Sequence, residues 1–467
     1  MLSRSALLAS LPPEPAIAPR AAAAKIIVLD DDPTGTQTVH GIPVLTTWGV
    51  EELTAELRAP EPCCYILTNT RAFPVARACA INREIGAHLA RAAAATGRAF
   101  TVVSRGDSTL RGHYPAETDA LAEALGGGFD GTLIIPAFFA GGRVTIGDTH
   151  YVADGDRLVP AGETEFARDA SFGYRSSDLR AWVEEKTAGR IRAADVLSIS
   201  LDDLRTREAE TVAAKLATLP RGGVAIVNAA GRGDLAALTH VLAHAERAGR
   251  RYLFRTAADF VAAYAGISPR PLLTAAELTD TDTRHGGLLV AGSYVGKTSA
   301  QLEALFAACP TLVRVELSVE QLLLDDRRAA EIARCAAALA EAIAAGRSAA
   351  LVTSRRLITG RDAAHSLAIG ETVSASLVGI VRDLAVRPRW LIAKGGITSS
   401  DTATRALGLR RALVLGQALP GVPVWRAGPE SKWPGLAYVV FPGNVGGPDA
   451  LATLVGSLLT IKASPIA

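Results

Sequence analysis

The chain has 467 residues, is 49% apolar and 21% charged, and carries a formal net charge of only +2. That balance excludes a surface built mainly to hold nucleic acid or anionic lipid, so an anionic ligand must be gripped by a local cluster of Arg or Lys. The length exceeds one ordinary core and suits two domains, and no run of about 18 apolar residues marks a membrane-spanning helix. The five cysteines are scattered, with no C-x-x-C, which argues against a disulfide framework or structural zinc and for reduced thiols in a cytoplasmic protein.

Residues 1–24 are rich in Ala and Pro. Their apolar stretch Ala6–Leu11 stops at Pro12-Pro13, too short for a secretory core, and predicts an extension with an extra helix or a frayed end. From Lys25 onward, short apolar runs alternate with helical stretches, the pattern of an α/β fold. Strands are predicted at Lys25–Asp30, Ile42–Thr46, Cys64–Thr70, Phe100–Ser104, Thr132–Pro136, Val196–Ser200, Val224–Asn228 and Tyr252–Arg255. Val75–Ala95 and Pro115–Leu125 read as helices, and Val144–Val159 as a hairpin around Asp154-Gly155. After a polar joint at Leu278–Gly287, further strands are predicted at Leu288–Gly292, Leu312–Glu316, Ala349–Thr353, Trp390–Ala393 and Ala412–Leu415. The expectation is an extension (1–24) followed by two α/β domains, 25–270 and 271–467. Each would have a largely parallel sheet flanked by helices, with a ligand cleft between them.

Chemistry gathers at strand ends, where open α/β sheets present ligand sites. Asp30-Asp31-Asp32-Pro33-Thr34-Gly35 follows the run KIIVL. A helix cap explains one of these aspartates, but three adjacent carboxylates repel unless donors, a metal or substrate hydroxyls offset them. One of them can accept the proton of an attacking hydroxyl. Ser104-Arg105-Gly106-Asp107-Ser108-Thr109-Leu110-Arg111 brings two guanidinium groups, a carboxylate and hydroxyls onto one loop, and Thr68-Asn69-Thr70-Arg71 adds a third guanidinium. Arginine grips a carboxylate through two parallel hydrogen bonds.

In the second half, Ala291-Gly292-Ser293-Tyr294-Val295-Gly296-Lys297-Thr298 approaches the phosphate-loop pattern, with Ala at its first glycine. As a true P-loop it would place Lys297 on the β/γ-phosphates and Thr298 on magnesium; as a looser turn it would contact a nucleotide through backbone NH groups. Lys394-Gly395-Gly396-Ile397-Thr398, ahead of a helix at Asp401–Leu407, reads as an anion cradle, and Phe441-Pro442-Gly443-Asn444 as a turn open to a ligand. The histidines, with Ser354, Arg355 and Arg356, fall into no catalytic spacing and are assigned to structure.

Together these segments resemble the four-carbon acid sugar kinases over roughly Lys25 to Leu459. Asp31-Asp32-Pro33-Thr34-Gly35 is similar to that family's opening D-D-x-T-G, and Asp107-Ser108-Thr109-Leu110-Arg111-Gly112 to its D-S-T-x-R-G loop. Pro136-Ala137-Phe138 with Gly142-Arg143 is similar to its P-A-F segment. The chain departs from relatives at Thr36, Ile397 and Pro442. The resemblance implies ATP-dependent, magnesium-assisted phosphorylation of a terminal hydroxyl of an acid sugar such as threonate, erythronate, 3-oxo-tetronate or 3-oxo-isoapionate. It places Asp31 or Asp107 as the catalytic acid–base group, with Asp32, Arg71, Arg105, Gly106, Ser108 and Arg111 on the sugar acid. Ser293, Gly395, Gly396, Ile397, Thr398, Gly443 and Asn444 would meet ATP. Two other readings stay open: a P-loop NTPase using residues 291–298, and a sugar-acid-binding protein without catalysis. No nucleic-acid or membrane partner is expected, and the sequence leaves homo-oligomer formation open.

Overall fold

A computed structural model describes residues 2–292, 296–356, 358, 360–443 and 445–461. They divide into two compact units, Met1–Pro269 and Arg270–Ala467.

The first unit is organised on parallel strands in the spatial order Leu197–Ile199, Gly223–Val227, Gly131–Ile135, Tyr252–Thr256, Phe100–Arg105, Lys25–Asp30, Cys63–Leu67 and Pro43–Leu45. The central strands are buried almost without interruption, as apolar runs must be when helices cover both faces of a sheet. The helix Val75–Thr96 buries Ala78, Ile81, Ile85, Leu89 and Ala92, a spacing of three and four that keeps one face on the sheet. Ile81, Ile85, Leu89 and Ala92, with Leu53, Leu57 and Leu121, pack on Ile27, Leu29, Ile66 and Val102. The chain leaves Lys25–Asp30 toward one side of the sheet and later returns to its other side at Phe100–Arg105. The ends of these two strands therefore flank a topological switch, and Asp30 stands in register with Arg105 there.

A second, antiparallel sheet orders Leu2–Ser3, Arg157–Pro160, Thr149–Asp154 and Arg143–Ile146. The hairpin around Asp154-Gly155 is present, but it is two strands of a larger meander. The extension holds the expected helix, Arg4–Ala9, yet it is not frayed. Past this helix, the Arg205 guanidinium donates to Pro12 O, His240 Nε2 pairs with Ala18 O at 3.0 Å, and Ala22 N donates to Tyr264 O at 2.9 Å. Glu14 accepts from Gly233 N in the first turn of the helix Arg232–Arg247, a carboxylate supplied from a distant segment to an exposed helix donor and dipole. Glu14→Ala is expected to lower stability by about 1 kcal/mol, read as a shift of the denaturant midpoint at unchanged slope.

In the second unit, Arg411–Leu419, Val422–Ala427 and Ala437–Phe441 form an antiparallel series. Ala437–Phe441 then begins a parallel series continued by Leu391–Lys394, Leu288–Ala291, Ala349–Thr353 and Val313–Leu317. Helices Gly296–Ala308 and Ala450–Leu459 pack Leu302, Leu305, Leu451 and Val455 on Leu289, Ile392, Val439 and Phe441. The glycine turn is shorter than its sequence suggests. Lys394 ends the strand, and a helix Gly396–Asp401 starts almost at once and runs into a π-helical turn, Thr402–Ala406, where an α-helix was expected from Asp401. Among the described residues, no helix is long and apolar enough to cross a membrane.

Candidate active site

The aspartates at the end of Lys25–Asp30 have three different environments. Asp30, at 1% exposure, points down at Arg105, whose Nη1 donates to its Oδ1 at 3.1 Å. Burial pushes its carboxyl up to about 7 in spite of that partner. Asp32 turns on itself: its Oδ1 accepts from Thr34 N at 2.8 Å and from the Thr34 hydroxyl, and its Oδ2 accepts from Arg71. Burial alone would raise it, but Arg71 and Thr34 hold it below the ordinary carboxylate range. Asp31 differs from both. It is 4% exposed, and among the described residues neither of its side-chain oxygens accepts a hydrogen bond. Burial pushes its carboxyl up, against the attraction of Arg71 and Arg255 nearby. An ionised oxygen pair without a donor is costly inside a protein, so the site spends stability here.

The loops after Phe100–Arg105 and Cys63–Leu67 converge on the same spot. Arg71 donates to Asp32 and, through Nη1 at 3.1 Å, pairs with Asp107. Asp107 also accepts from Arg111 Nε at 2.9 Å, from Thr109 N at 3.2 Å and from the Thr109 hydroxyl. Burial would raise Asp107, but Arg71 and Arg111 hold it far below the usual range. Arg111 reaches Asp169 as well and lies over the Phe166 ring, 5.1 Å from its centroid. The Arg71 and Arg111 side chains keep 19% and 21% exposure against 5% for Arg105, so Arg105 lies beneath the site and the other two face outward. Ser108 is half-buried beside them.

Two neighbours carried no signal in the sequence reading. Arg255, on Tyr252–Thr256, donates through Nη2 to Arg111 O at 3.1 Å and through Nη1 to Thr256 O at 3.2 Å. It fills the space above Gly106, where a Cβ would stand 1.8 Å from its Nη1, so position 106 needs glycine for close approach rather than for backbone freedom. His150 is fully buried, with Nε2 on Ser108 O at 2.8 Å and Nδ1 on the Thr145 hydroxyl at 3.0 Å. A carbonyl only accepts, so Nε2 carries the proton and Nδ1 accepts from Thr145. Burial pulls His150 from 6.5 down to about 4, outweighing its bond to Ser108 O. Its stabilisation is therefore complete above pH 6.5 and is lost as pH falls through about 4. A thermal-melt series should show a shallower acid-side decline in Tm for His150→Gln than for the wild-type protein.

In the second unit, parallel strands end side by side at Phe441, Lys394 and Ala291. Gly395 has φ +107°, a backbone that side chains resist, and its N donates to Phe441 O at 2.8 Å. A Cβ on Gly443 would lie 4.0 Å from Gly395 Cα, and one on Gly292 would lie 3.0 Å from Thr398 Oγ1, so three glycine turns and Thr398 share one patch. Gly396 and Ile397 open the following helix, with Ile397 63% exposed. Thr298 is fully buried, and among the described residues its hydroxyl has no partner. Ser293 and Asn444 lie outside the described residues. Lys394 was read as part of the turn, but it ends the strand, and its side chain is fully buried.

Comparison with known proteins matches a family to each part of the chain. Residues 26–264 match the family of sugar-binding N-terminal domains, and residues 288–451 match the family of nucleotide-binding C-terminal domains. The chain is 31% identical over 350 residues to a D-threonate kinase of Cupriavidus necator, covering 68% of this chain and 73% of that protein. Two crystal structures share the fold. One is a Haemophilus influenzae protein from a family of unknown function (20% identity, TM-score 0.62, covering 92% of this chain and all of that one). The other is a Salmonella typhimurium LT2 protein described as a putative tRNA synthase (18% identity, TM-score 0.64, covering 93% of this chain and 99% of that one). With both domain families matched in order and a kinase relative spanning most of the chain, the protein belongs to the four-carbon acid sugar kinase family.

Proposed function

We propose that the protein transfers the γ-phosphate of ATP to a hydroxyl of a small acid sugar, a four-carbon acid in the first instance, and that Asp31 is the group that takes the hydroxyl's proton. The observation that carries this reading is the contrast between Asp31 and Asp107. Asp107 is saturated by Arg71, Arg111 and Thr109 and held anionic far below neutrality, which makes it a weak base. Asp31 has unused acceptor capacity and a carboxyl that burial pushes up, nearer to the operating pH. A substrate hydroxyl would supply the donor that its oxygens lack.

Arg71 and Arg111 then meet the substrate's carboxylate, while Arg105 fixes Asp30 and the loop above it. Asp107 orients both outward guanidinium groups. The D-threonate kinase relative supports a tetronate-like acceptor, and the nucleotide-binding family match supports ATP as donor. The patch formed by Gly292, Gly395–Thr398 and Gly443 suits the nucleotide, with backbone NH groups open to phosphate. A P-loop enzyme needs a carboxylate at a neighbouring strand end for its metal, but the strands beside Leu288–Ala291 end at Thr353 and Lys394. Among the described residues no group of three or more His, Cys, Asp or Glu side chains could hold a metal. Magnesium would fit this reading as an ion carried in on the phosphates of the nucleotide.

The test is an incubation with Mg-ATP and a panel of tetronates, 3-oxo-tetronates and branched acid sugars, following ADP release and the phosphorylated product by phosphorus NMR. Acid-dependent ADP formation with at least one member is expected. No ADP with any of them, together with no measurable ATP binding, overturns the proposal.

A further inference from the structure

Lys394 is an unusual residue for the place it occupies. Lysine is rarely buried without a partner, because desolvating an ammonium costs several kcal/mol unless its hydrogens are used. Here the side chain is fully buried at the end of a strand. Its Nζ donates to Pro442 O at 2.8 Å and to Gly443 O at 3.3 Å, and sits 4.6 Å from the centroid of the Phe441 ring. These partners belong to one neighbouring strand and the turn that follows it. None of them is an anion. A purely structural role would be met as well by an apolar side chain against Phe441, so the retained charge asks for a second explanation.

We propose that Lys394 is a positioning residue for the nucleotide: its ammonium ties the Pro442–Gly443 turn to the Gly395 turn and places a fixed positive charge under the phosphates. This rests on the reading that the three glycine turns hold ATP. Gly395 follows Lys394 directly, and Gly443 is one of the carbonyls it holds, so releasing the ammonium frees both walls of the patch together. The groups around Nζ on the packed elements are Phe441, the carbonyls of Pro442 and Gly443, and the uncharged strand neighbour Ala291. Among the described residues, Lys297 on the helix Gly296–Ala308 is the charged group that bears on it, and its like charge adds to burial in pulling the Lys394 ammonium down to about 8. A phosphate beside them would offset that like-charge repulsion on Lys394.

The experiment measures ADP affinity of the full-length protein by titration calorimetry from about pH 7 to about pH 9.5, spanning the expected loss of the Lys394 proton. In wild-type protein the affinity is expected to fall as pH rises through about 8, because the free ammonium gives up its proton there. Lys394→Met is expected to bind ADP about tenfold more weakly at the lower pH, the size of effect typical of a charged hydrogen bond, and to show a flatter pH profile. Its KM for the sugar acid should stay unchanged, which a general loss of structure would not allow. A flat wild-type profile, or a Lys394→Met protein that binds ADP as tightly as wild type, overturns the inference. If the variant fails to fold, the wild-type profile alone decides. No ADP binding by the wild-type protein at any pH would overturn the nucleotide reading itself, a separate outcome.

Discussion

Asp31→Asn is expected to lower kcat by about a hundredfold to ten-thousandfold, the usual worth of a positioned general base, with KM for ATP near its wild-type value. The same substitution should leave the protein as stable as before or more so. Burial raises this carboxyl in the folded protein, so folding favours its protonated form. Stability linked to Asp31 is therefore full at low pH and is lost as pH rises through its folded value. An amide of the same shape carries no charge to bury and escapes that loss. Steady-state kinetics and a thermal melt at about pH 8, above the carboxylate range, on one preparation would check both halves. An inactive variant with a lowered Tm would point to a structural carboxylate instead. Activity and stability are thus expected to move in opposite directions at this residue, as they do where a site holds an unsatisfied group.

Arg71→Met is expected to fail in the other way, losing activity and stability together. This guanidinium stands between Asp32 and Asp107 and answers both. Removing it leaves two carboxylates facing each other with Asp31 close by. The expected cost is about 2–3 kcal/mol, less than for a fully buried pair because the side chains keep 18% and 19% exposure. Arg71→Lys separates charge from geometry. A lysine restores the charge but offers a single point of contact rather than a fork, so it should recover most of the stability. It should recover little of the kcat/KM for the sugar acid, with a deficit of about a hundredfold remaining. Recovery of full activity by lysine would show that charge alone is needed at this position.

The strand ends were legible because the central strands are largely apolar, and such a run in an α/β pattern points its last residue at the ligand face. Asp30, Arg105 and the Arg71 loop were found this way. Arg255 was not, although it ended a predicted strand, because it stands there without the charged neighbours that marked the other strand ends, and the loop carbonyl it meets, Arg111 O, is 144 positions away. An arginine next to the end of a buried strand is nonetheless the same signal in weaker form. Lys394 was missed through a boundary: with the strand stopped at Ala393, the lysine looked like turn chemistry. The attachment of the N-terminal segment could not have been read at all, since Glu14 meets Gly233 across 219 positions. The division of labour among three adjacent aspartates was equally closed to sequence, because it depends on which way each side chain turns from the strand end.

The close approach at Gly106 has a consequence for how this family can vary. A side chain there and a guanidinium at position 255 claim the same volume, 1.8 Å apart. In the divergence of these proteins the two positions are therefore expected to change as a pair: a chain that acquires even alanine at position 106 must shorten residue 255 or swing its guanidinium off Arg111 O and Thr256 O, and a lineage that keeps the arginine in this place is held to glycine. Aligned relatives would show this as covariation between residues about 150 apart in sequence, and laboratory evolution from Gly106→Ala should find its first compensating change at Arg255.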